Sequence, residues 1–596
     1  MLFGKHINKY YLRYAPLLLF GIAALVLVDY MQLLVPEMYQ MVINGVNTGS
    51  VTVNGEPLPF DMSFLHDRIC KPMILIVVSM VIGRFAWRIC FFGAGVRVET
   101  DLRARMFDRC KDLSREFYQN NKVGGLMSLF TNDLETVQDC FGSGILMFCD
   151  ALFLGLLAIF KMAKMNLLLT LFSLIPMAFM LGAGLIIGKY LTMKWDVRQE
   201  AFSSLSDFSQ ESFSGIAVIK AFVKELKELS AFRRLNKENE NANVEYTKLS
   251  VKLNITITLL VETVTTVILG YGGYLVHEKV FNAGQLVEFI GYFTAIVWPV
   301  MAVSELIEMR SRGKASLDRI GDLLEAKIDV KDRDGVKEDC PPLTGNIEFR
   351  NLTFRYPGAE YDALRNVSLS ISAGENVGII GKTGAGKTTL VDLLLRTYNV
   401  PDGTLFLDGY DVNDIPIRHV RNYAAYVPQD NFLFSDTIAN NISFASDCND
   451  RAEIEKAAEY ADVHDNITGF SEGYETVLGE RGVTVSGGQK QRISIARALM
   501  KDASILILDD SVSAVDVGTE KKILASLKKI REGKTTILIA HRVTTIENMD
   551  KIVFLDDSNP ESTVAAVGTH EALYASCPAY RSMVELQRLD DAEAKM

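Results

Sequence analysis

Cysteine is scarce and scattered. The eight cysteines form no CxxC pair and no Cys/His set of the kind that holds a metal. They read as small buried or incidental residues, Cys448 among them. A basic excess is missing as well. The formal net charge is -11, and beyond residue 335 there are 27 Lys+Arg against 39 Asp+Glu. That acidic balance lacks the electrostatic footprint of a nucleic-acid partner. The first apolar run is long and has no obvious small-residue cleavage site, so no cleavable signal peptide is expected. Stretches such as LLLFGIAALVLV and MILIVVSMVIG lack the polar stripe that the helices of a soluble protein carry.

What is present is hydrophobicity in quantity, 49% of 596 residues. That length calls for two or more domains. Apolar stretches recur near 16–43, 73–95, 141–160, 165–187, 254–276 and 281–303. Each is near the roughly 20 residues that cross a bilayer as a helix. The long segments between them, about 96–140 and 188–253, are rich in basic residues, and Lys5, Lys9 and Arg13 precede the first stretch. The positive-inside rule places these segments and both termini in the cytoplasm. FGKHINKYYLRY mixes basic and aromatic residues as an interfacial helix does. The long segments are charged and compatible with helix, so the spans are expected to continue well beyond the bilayer. They would turn near Phe117–Lys122 and Ser212–Ile216, at tips that could touch a soluble domain. Arg84 and Arg88 are four apart and share a helix face. Together with Asp29, Asp150 and Glu262 they lie inside spans. Such charges mark a polar pathway, or else they pair or snorkel. The outer segment 44–68 is long for a loop between two spans, and its residues suggest no function.

The texture changes after residue 325, where a charged stretch containing Pro341-Pro342 reads as a linker. NIEFRNLTFRY and VSLSIS look like strands, and VGIIG like a buried one. The buried strand runs into GKTGAGKT, which fits GxxxxGK[ST] from Gly381 through Lys382, Thr383, Gly384, Ala385 and Gly386 to Lys387 and Thr388, with Thr389 following. Glycines free the backbone N–H groups to wrap phosphates, the next helix presents its positive N-terminus, Lys387 reaches the terminal phosphates and the Thr388 hydroxyl suits Mg2+. Downstream, SILILD ends at Asp509, an acid placed to hold Mg2+. In VSGGQKQRISIARAL, Ser486, Gly487, Gly488 and Gln489 open a helix as a second phosphate cradle.

These motifs together resemble an ATP-binding cassette (ABC) transporter half of the exporter type, over nearly the whole chain. SGGQ matches the family signature, with Val485 where Leu is usual. The resemblance implies an all-α membrane domain of six transmembrane helices with long cytoplasmic extensions (1–325), a linker (326–343) and an α/β P-loop cassette with a helical subdomain (344–596). It implies that Tyr356 stacks on adenine and that Gln429 senses Mg2+. SAVD would cross to the partner and end in Asp516. His541 would be the switch histidine near the γ-phosphate, LGERG (478–482) would touch the membrane-helix tips, and those tips would be coupling helices. It also implies dimerisation, with each ATP between one chain's P-loop and the other's signature, and a multi-pass place in a bacterial inner membrane. The expected activity is ATP-driven export of an amphipathic solute, lipid or peptide, multidrug-type by analogy. An importer or gated channel on the same fold is the alternative, and a regulatory ATPase a remote one.

The residue after Asp509 departs from the family pattern. Glu is usual there, to position and polarise the attacking water, whereas this chain has Asp510. One methylene fewer leaves the carboxylate about 1.5 Å short, and losing a well-placed base can lower a rate on the order of 10²–10⁴. The expectation is a slow, degenerate site in a heterodimer, whose competent site combines this chain's signature with a partner's P-loop and Glu.

Overall fold

The computed structural model describes residues 4–593 except 54–55, 337–338, 447–448, 480–481, 483, 514 and 560. Cys448, Glu480 and Arg481 of LGERG and Ala514 of SAVD thus lie outside the described residues. The chain divides into two units. One comprises 1–111 and 123–326, the other 112–122 and 327–596.

The first unit carries six helices long and apolar enough to span a bilayer: Ala15–Thr48, Met62–Asp112, Val123–Met165, Leu167–Ser214, Glu225–His277 and Ala283–Glu325. The fourth is one unbroken helix of 48 residues. At 1.5 Å per residue it is roughly 72 Å long, over twice the thickness of a hydrocarbon core of ~30 Å. The helical extensions read from the sequence are therefore continuous with the spans. Leu33, Leu154, Ile268, Phe289 and Phe293 are buried together at the centre of the bundle. The basic-aromatic N-terminal segment forms a helix at Asn8–Arg13. Ile7 and Tyr10 are fully buried, Tyr10 is hydrogen-bonded to Asp101, and Lys5 pairs with Glu325 at 2.9 Å. This helix is thus tied to the extensions of the second and sixth spans.

The segment 44–68 that the sequence left without an account contains two short paired strands, Ser50–Val53 with Glu56–Pro59, in antiparallel register from Ser50 opposite Pro59. Val51 of the first strand is buried with Phe64 and Ile69, and Met38, Met41 and Phe60 pack alongside. The paired strands cap the end of the first span with an apolar cluster of their own.

The second unit is α/β. Its six-stranded sheet runs in the order Val564–Gly568, Lys551–Leu555, Asn376–Gly381, Thr535–Ile539, Ile505–Asp509 and Ala424–Val427. All neighbours are parallel except the first pair. A four-stranded antiparallel sheet contains Ile347–Phe354 and Leu364–Ile371. The helices Ile438–Ser443, Arg451–Tyr460 and Gly487–Met500 pack on one another around Ile442, Ile454, Ala458 and Ile495 as a helical subdomain. The central strands are buried along their whole length, which is why they read as unbroken apolar runs rather than alternating ones.

Candidate nucleotide-binding site

Ligands in open parallel sheets bind beyond the carboxyl ends of the strands, and register brings the candidate residues to that edge here. Ile539 lies opposite both Ile379 and Asp509, and Val427 lies opposite Leu508. Gly381, His541 and Gln429 each fall within two residues of that line, and Asp510 one residue beyond it. Four separate stretches of sequence therefore converge because four parallel strands stop together.

The P-loop has the backbone its glycines allow. Gly384 and Gly386 take φ of +88° and +86°. A Cβ on Gly386 would lie 2.6 Å from Leu364 Cδ2 and 2.7 Å from the Ala363 carbonyl. Gly386→Ala is expected to destabilise the cassette by about 1–3 kcal/mol through overpacking and a left-handed alanine, measurable as a lowered midpoint of thermal unfolding. Lys382, Thr383 and Gly384 are exposed while Ala385 is buried. Lys387 opens the helix Lys387–Leu394. Its Nζ donates to the carbonyls of Gly381 and Lys382 at 2.9 Å each. Burial pulls the Lys387 ammonium below its usual range, and the charges of Asp509 and Asp510 work in the opposite sense.

Asp509 is 1% exposed. Burial pushes its carboxyl up, against a hydrogen bond from the Thr388 hydroxyl, and the Tyr426 hydroxyl donates at 3.4 Å. Thr388 and Asp509, the two residues expected at Mg2+, are thus in contact. Among the described residues no group of three His, Cys, Asp or Glu side chains could hold an ion. A hydroxyl and one carboxylate beside a phosphate cradle fit a hard, oxygen-seeking ion that keeps waters, as Mg2+ does. Gln429 is exposed at the end of the neighbouring strand.

Asp510 has φ of +47°, a left-handed conformation that aspartate tolerates better than most residues. Its N–H donates to the Ile539 carbonyl at 3.0 Å, and its Oδ2 stands 3.9 Å from His541 Nε2. The candidate base and the candidate switch histidine therefore face each other.

Tyr356 is half-buried, edge-on to Phe354 and Tyr398 with ring centroids 5.1 Å away in each case. Its hydroxyl is 2.9 Å from that of Thr389. Ser486 caps the helix Gly487–Met500 in a reciprocal box with Gln489, so those signature residues also fix a helix start. Asp516 caps the helix Val517–Ile530, accepting from the N–H groups of Gly518 and Thr519. Among the described hydrogen bonds none joins the signature turn to the P-loop. Ser486 and Gly487 are exposed.

Family models for the ABC transporter transmembrane region and for the ABC transporter cassette match residues 18–300 and 364–513. The chain belongs to the ABC transporter family. It is 34% identical over 591 residues to a "probable multidrug resistance ABC transporter ATP-binding/permease protein", YheI of Bacillus subtilis, covering 99% of this chain and 98% of that protein. It is also 34% identical over 573 residues to the multidrug resistance-like ATP-binding protein MdlA of Escherichia coli, covering 96% and 94%. A bacterial Atm1-family ABC exporter with ATP bound superposes with a TM-score of 0.77 at 25% identity, covering 97% of this chain and 99% of that one. This ABC transporter is an ATP-driven exporter half, six membrane helices and one ATPase cassette, and it requires a second half.

Sequence reasoning missed how one tip of this ABC transporter is held. The short helix Arg115–Asn120 falls in the same unit as the cassette. Arg115 Nη1 is 2.5 Å from Asp392 Oδ1, and the Asp392 side chain is 5% exposed. The Tyr398 hydroxyl donates to Gln119 at 2.8 Å. Since Tyr398 touches Tyr356 and Asp392 lies on the helix Lys387–Leu394, this tip bears on both ends of the candidate nucleotide site. The available signal was Asp392 itself, an acid inside the apolar run TTLVDLLL. Burial pushes the Asp392 carboxyl up, and Arg115 opposes that. Arg115→Ala would leave a buried acid without its cation. Because Arg115 is 47% exposed, the expected loss is discounted to about 1–2 kcal/mol, checked by thermal unfolding alongside ATPase. The second tip is the helix Ile216–Ala221, which begins where the sequence placed the end of the turn. Phe213, Phe222, Val223 and Leu226 around it are 69–82% exposed.

Proposed function

We propose that this exporter half works in a heterodimer and that its own nucleotide site is the slow one. The observation that carries this is Asp510, a short acid at the base position beside an otherwise complete set of motifs. In this reading Tyr356 receives adenine. Gly381, Lys382, Thr383, Gly384, Ala385, Gly386, Lys387, Thr388 and Thr389 bind the phosphates. Thr388, Asp509 and Gln429 hold Mg2+, which supplies charge neutralisation at the phosphates when bound. Asp510 and His541 face the water and the γ-phosphate side. Ser486, Gly487, Gly488, Gln489 and Asp516 serve the site on the partner's P-loop, which suits an exposed signature turn. A homodimer would carry two impaired sites, whereas an unlike partner with Glu gives one fast site completed by this chain's signature.

The exposed apolar second tip supports the need for another chain, since a surface of that kind is normally covered. The multidrug names of the relatives support an amphipathic solute, and their bacterial sources support a bacterial inner membrane with both termini and the cassette in the cytoplasm. We take 1–325 as the membrane domain, 326–343 as linker and 344–596 as cassette. ATP binding would close paired cassettes and shift the membrane helices outward, and product release would reset them.

The test is co-expression with a homologous half-transporter that has Glu after its strand Asp. Native mass spectrometry should find one copy of each chain, and only that complex should show sustained ATPase. A stable homodimer of this chain with robust turnover would sink the proposal.

A further inference from the structure

Of the five charges that the sequence places within spans, four converge on one place and Glu262 does not. Asp29, Arg84, Trp87, Arg88, Asp150 and Trp298, drawn from four of the six spans, line a cavity of about 310 Å³. Two of those spans touch closely beside it: a Cβ on Gly83 would lie 2.5 Å from Val28 Cγ2. The cavity is graded. Arg84, Arg88 and Trp298 are exposed, while Asp29 is 2% exposed.

Its polar groups are not internally satisfied. Trp298 Nε1 donates to Asp150 Oδ2 at 2.8 Å. Among the described residues the buried Asp29 Oδ2 has no donor, and the buried indole N–H of Trp87 has no acceptor. Among the described residues neither Arg84 nor Arg88 pairs with a carboxylate, and the Arg88 guanidinium lies 5.2 Å from the Trp87 ring centroid. The sequence left pairing and a polar pathway both open for these charges; Asp29 lies within hydrogen-bonding reach of Asp150, a second acid, and among the described residues none of the four is paired with an opposite charge. Unneutralised charge at membrane depth is costly and marks function by default. Water could fill such a space, but water leaves two acids and two guanidinium groups without counter-charges.

We propose that this cavity binds the zwitterionic headgroup of an amphipathic solute. The cationic group lies at Asp29 and Asp150, and the anionic group at Arg84 and Arg88. Trp87 and Trp298 supply flat apolar walls suited to a quaternary ammonium and its stem. The proposal rests on the exporter reading and names the substrate class for it.

Two of the chain's three tryptophans line the cavity, and the third, Trp195, lies against another. The experiment uses the full chain carrying Trp195→Phe, with its partner half, in discs of anionic lipid. Amphipaths with one brominated chain and a phosphocholine, trimethylammonium or sulfate headgroup serve as fluorescence quenchers. Phosphocholine should quench saturably and bind at least about tenfold tighter than either singly charged headgroup, a difference of ~1.4 kcal/mol. Asp29→Asn should abolish that preference. Arg84→Gln, which leaves the buried acid intact, should weaken the phosphocholine and sulfate arms and spare the ammonium arm. A diacyl phosphocholine run beside the single-chain probe tells a membrane phospholipid from a free amphipath. Equal affinity for the three headgroups, quenching that only rises linearly with mole fraction, or Arg84→Gln weakening all arms alike would overturn the assignment. ATP-dependent transport by the same complex in vesicles reports separately on the exporter reading.

Discussion

Paired with a partner half whose own catalytic Glu is replaced by Gln, the chain with Asp510→Glu will hydrolyse ATP on the order of 10²-fold faster than the unaltered chain in the same pairing. The strand register places residue 510 just past the Asp509 carboxylate and next to the strand that ends before His541. The Asp510 carboxylate already approaches His541, at 3.9 Å. What it lacks is length, and Glu adds about 1.5 Å along the side chain. The backbone at 510 works against the substitution, because its φ of +47° suits Asp better than Glu. The variant should therefore lose roughly 1 kcal/mol of stability. A rate that rises while the unfolding midpoint falls separates a repaired base from a better-folded protein. Phosphate release and calorimetry on the same preparations measure both. If the unaltered chain already matches the variant in rate, Asp510 reaches the water by another route and the slow-site reading fails.

Lys387→Ala will remove nucleotide binding from this chain's P-loop, with an affinity loss on the order of 10²-fold. That is the scale for losing a buried charged hydrogen-bond partner. Lys387 is 7% exposed and already spans the loop through two carbonyls at 2.9 Å. Its ammonium is thus held within the cradle by bonds that a phosphate group can replace. In the proposed heterodimer, nucleotide stoichiometry should fall from two to one per complex, with turnover reduced less than binding, because that reading builds the fast site on the other P-loop. Titration with a fluorescent nucleotide under non-hydrolysing conditions gives the stoichiometry. Loss of both sites together would mean that the two P-loops do not act independently.

Much of this architecture is written in local pattern. Runs of about 20 apolar residues without a polar stripe cannot form a soluble surface, so the six spans were legible before any coordinates. GKTGAGKT, SGGQ and an apolar strand ending in Asp509 were equally plain, because a phosphate cradle needs glycine, a cation and a helix start in close succession along the chain. The paired strands within 50–59 were hidden, since their apolar cluster draws on Met38, Phe64 and Ile69 across several turns of chain. The short tip helix at Arg115–Asn120 was expected, but its grip on Asp392 was not, because a bond between residues 277 positions apart leaves no periodic trace.

The sequence by itself determined the class of this protein and named the candidates for its nucleotide-handling residues, because each motif needs only near neighbours to do its chemistry. The tertiary structure alone decided which distant residues meet. It set Asp510 opposite His541 through the ends of two parallel strands. It also gathered Asp29, Arg84, Arg88 and Asp150 from three spans into one cavity in which, among the described residues, no acid is paired with a guanidinium. The physical reason is the same in both cases. Strand register and helix packing are cooperative outcomes of burial over many residues, so a charge's partner, or its lack of one, is a property of the folded chain and not of the residue's neighbours in sequence.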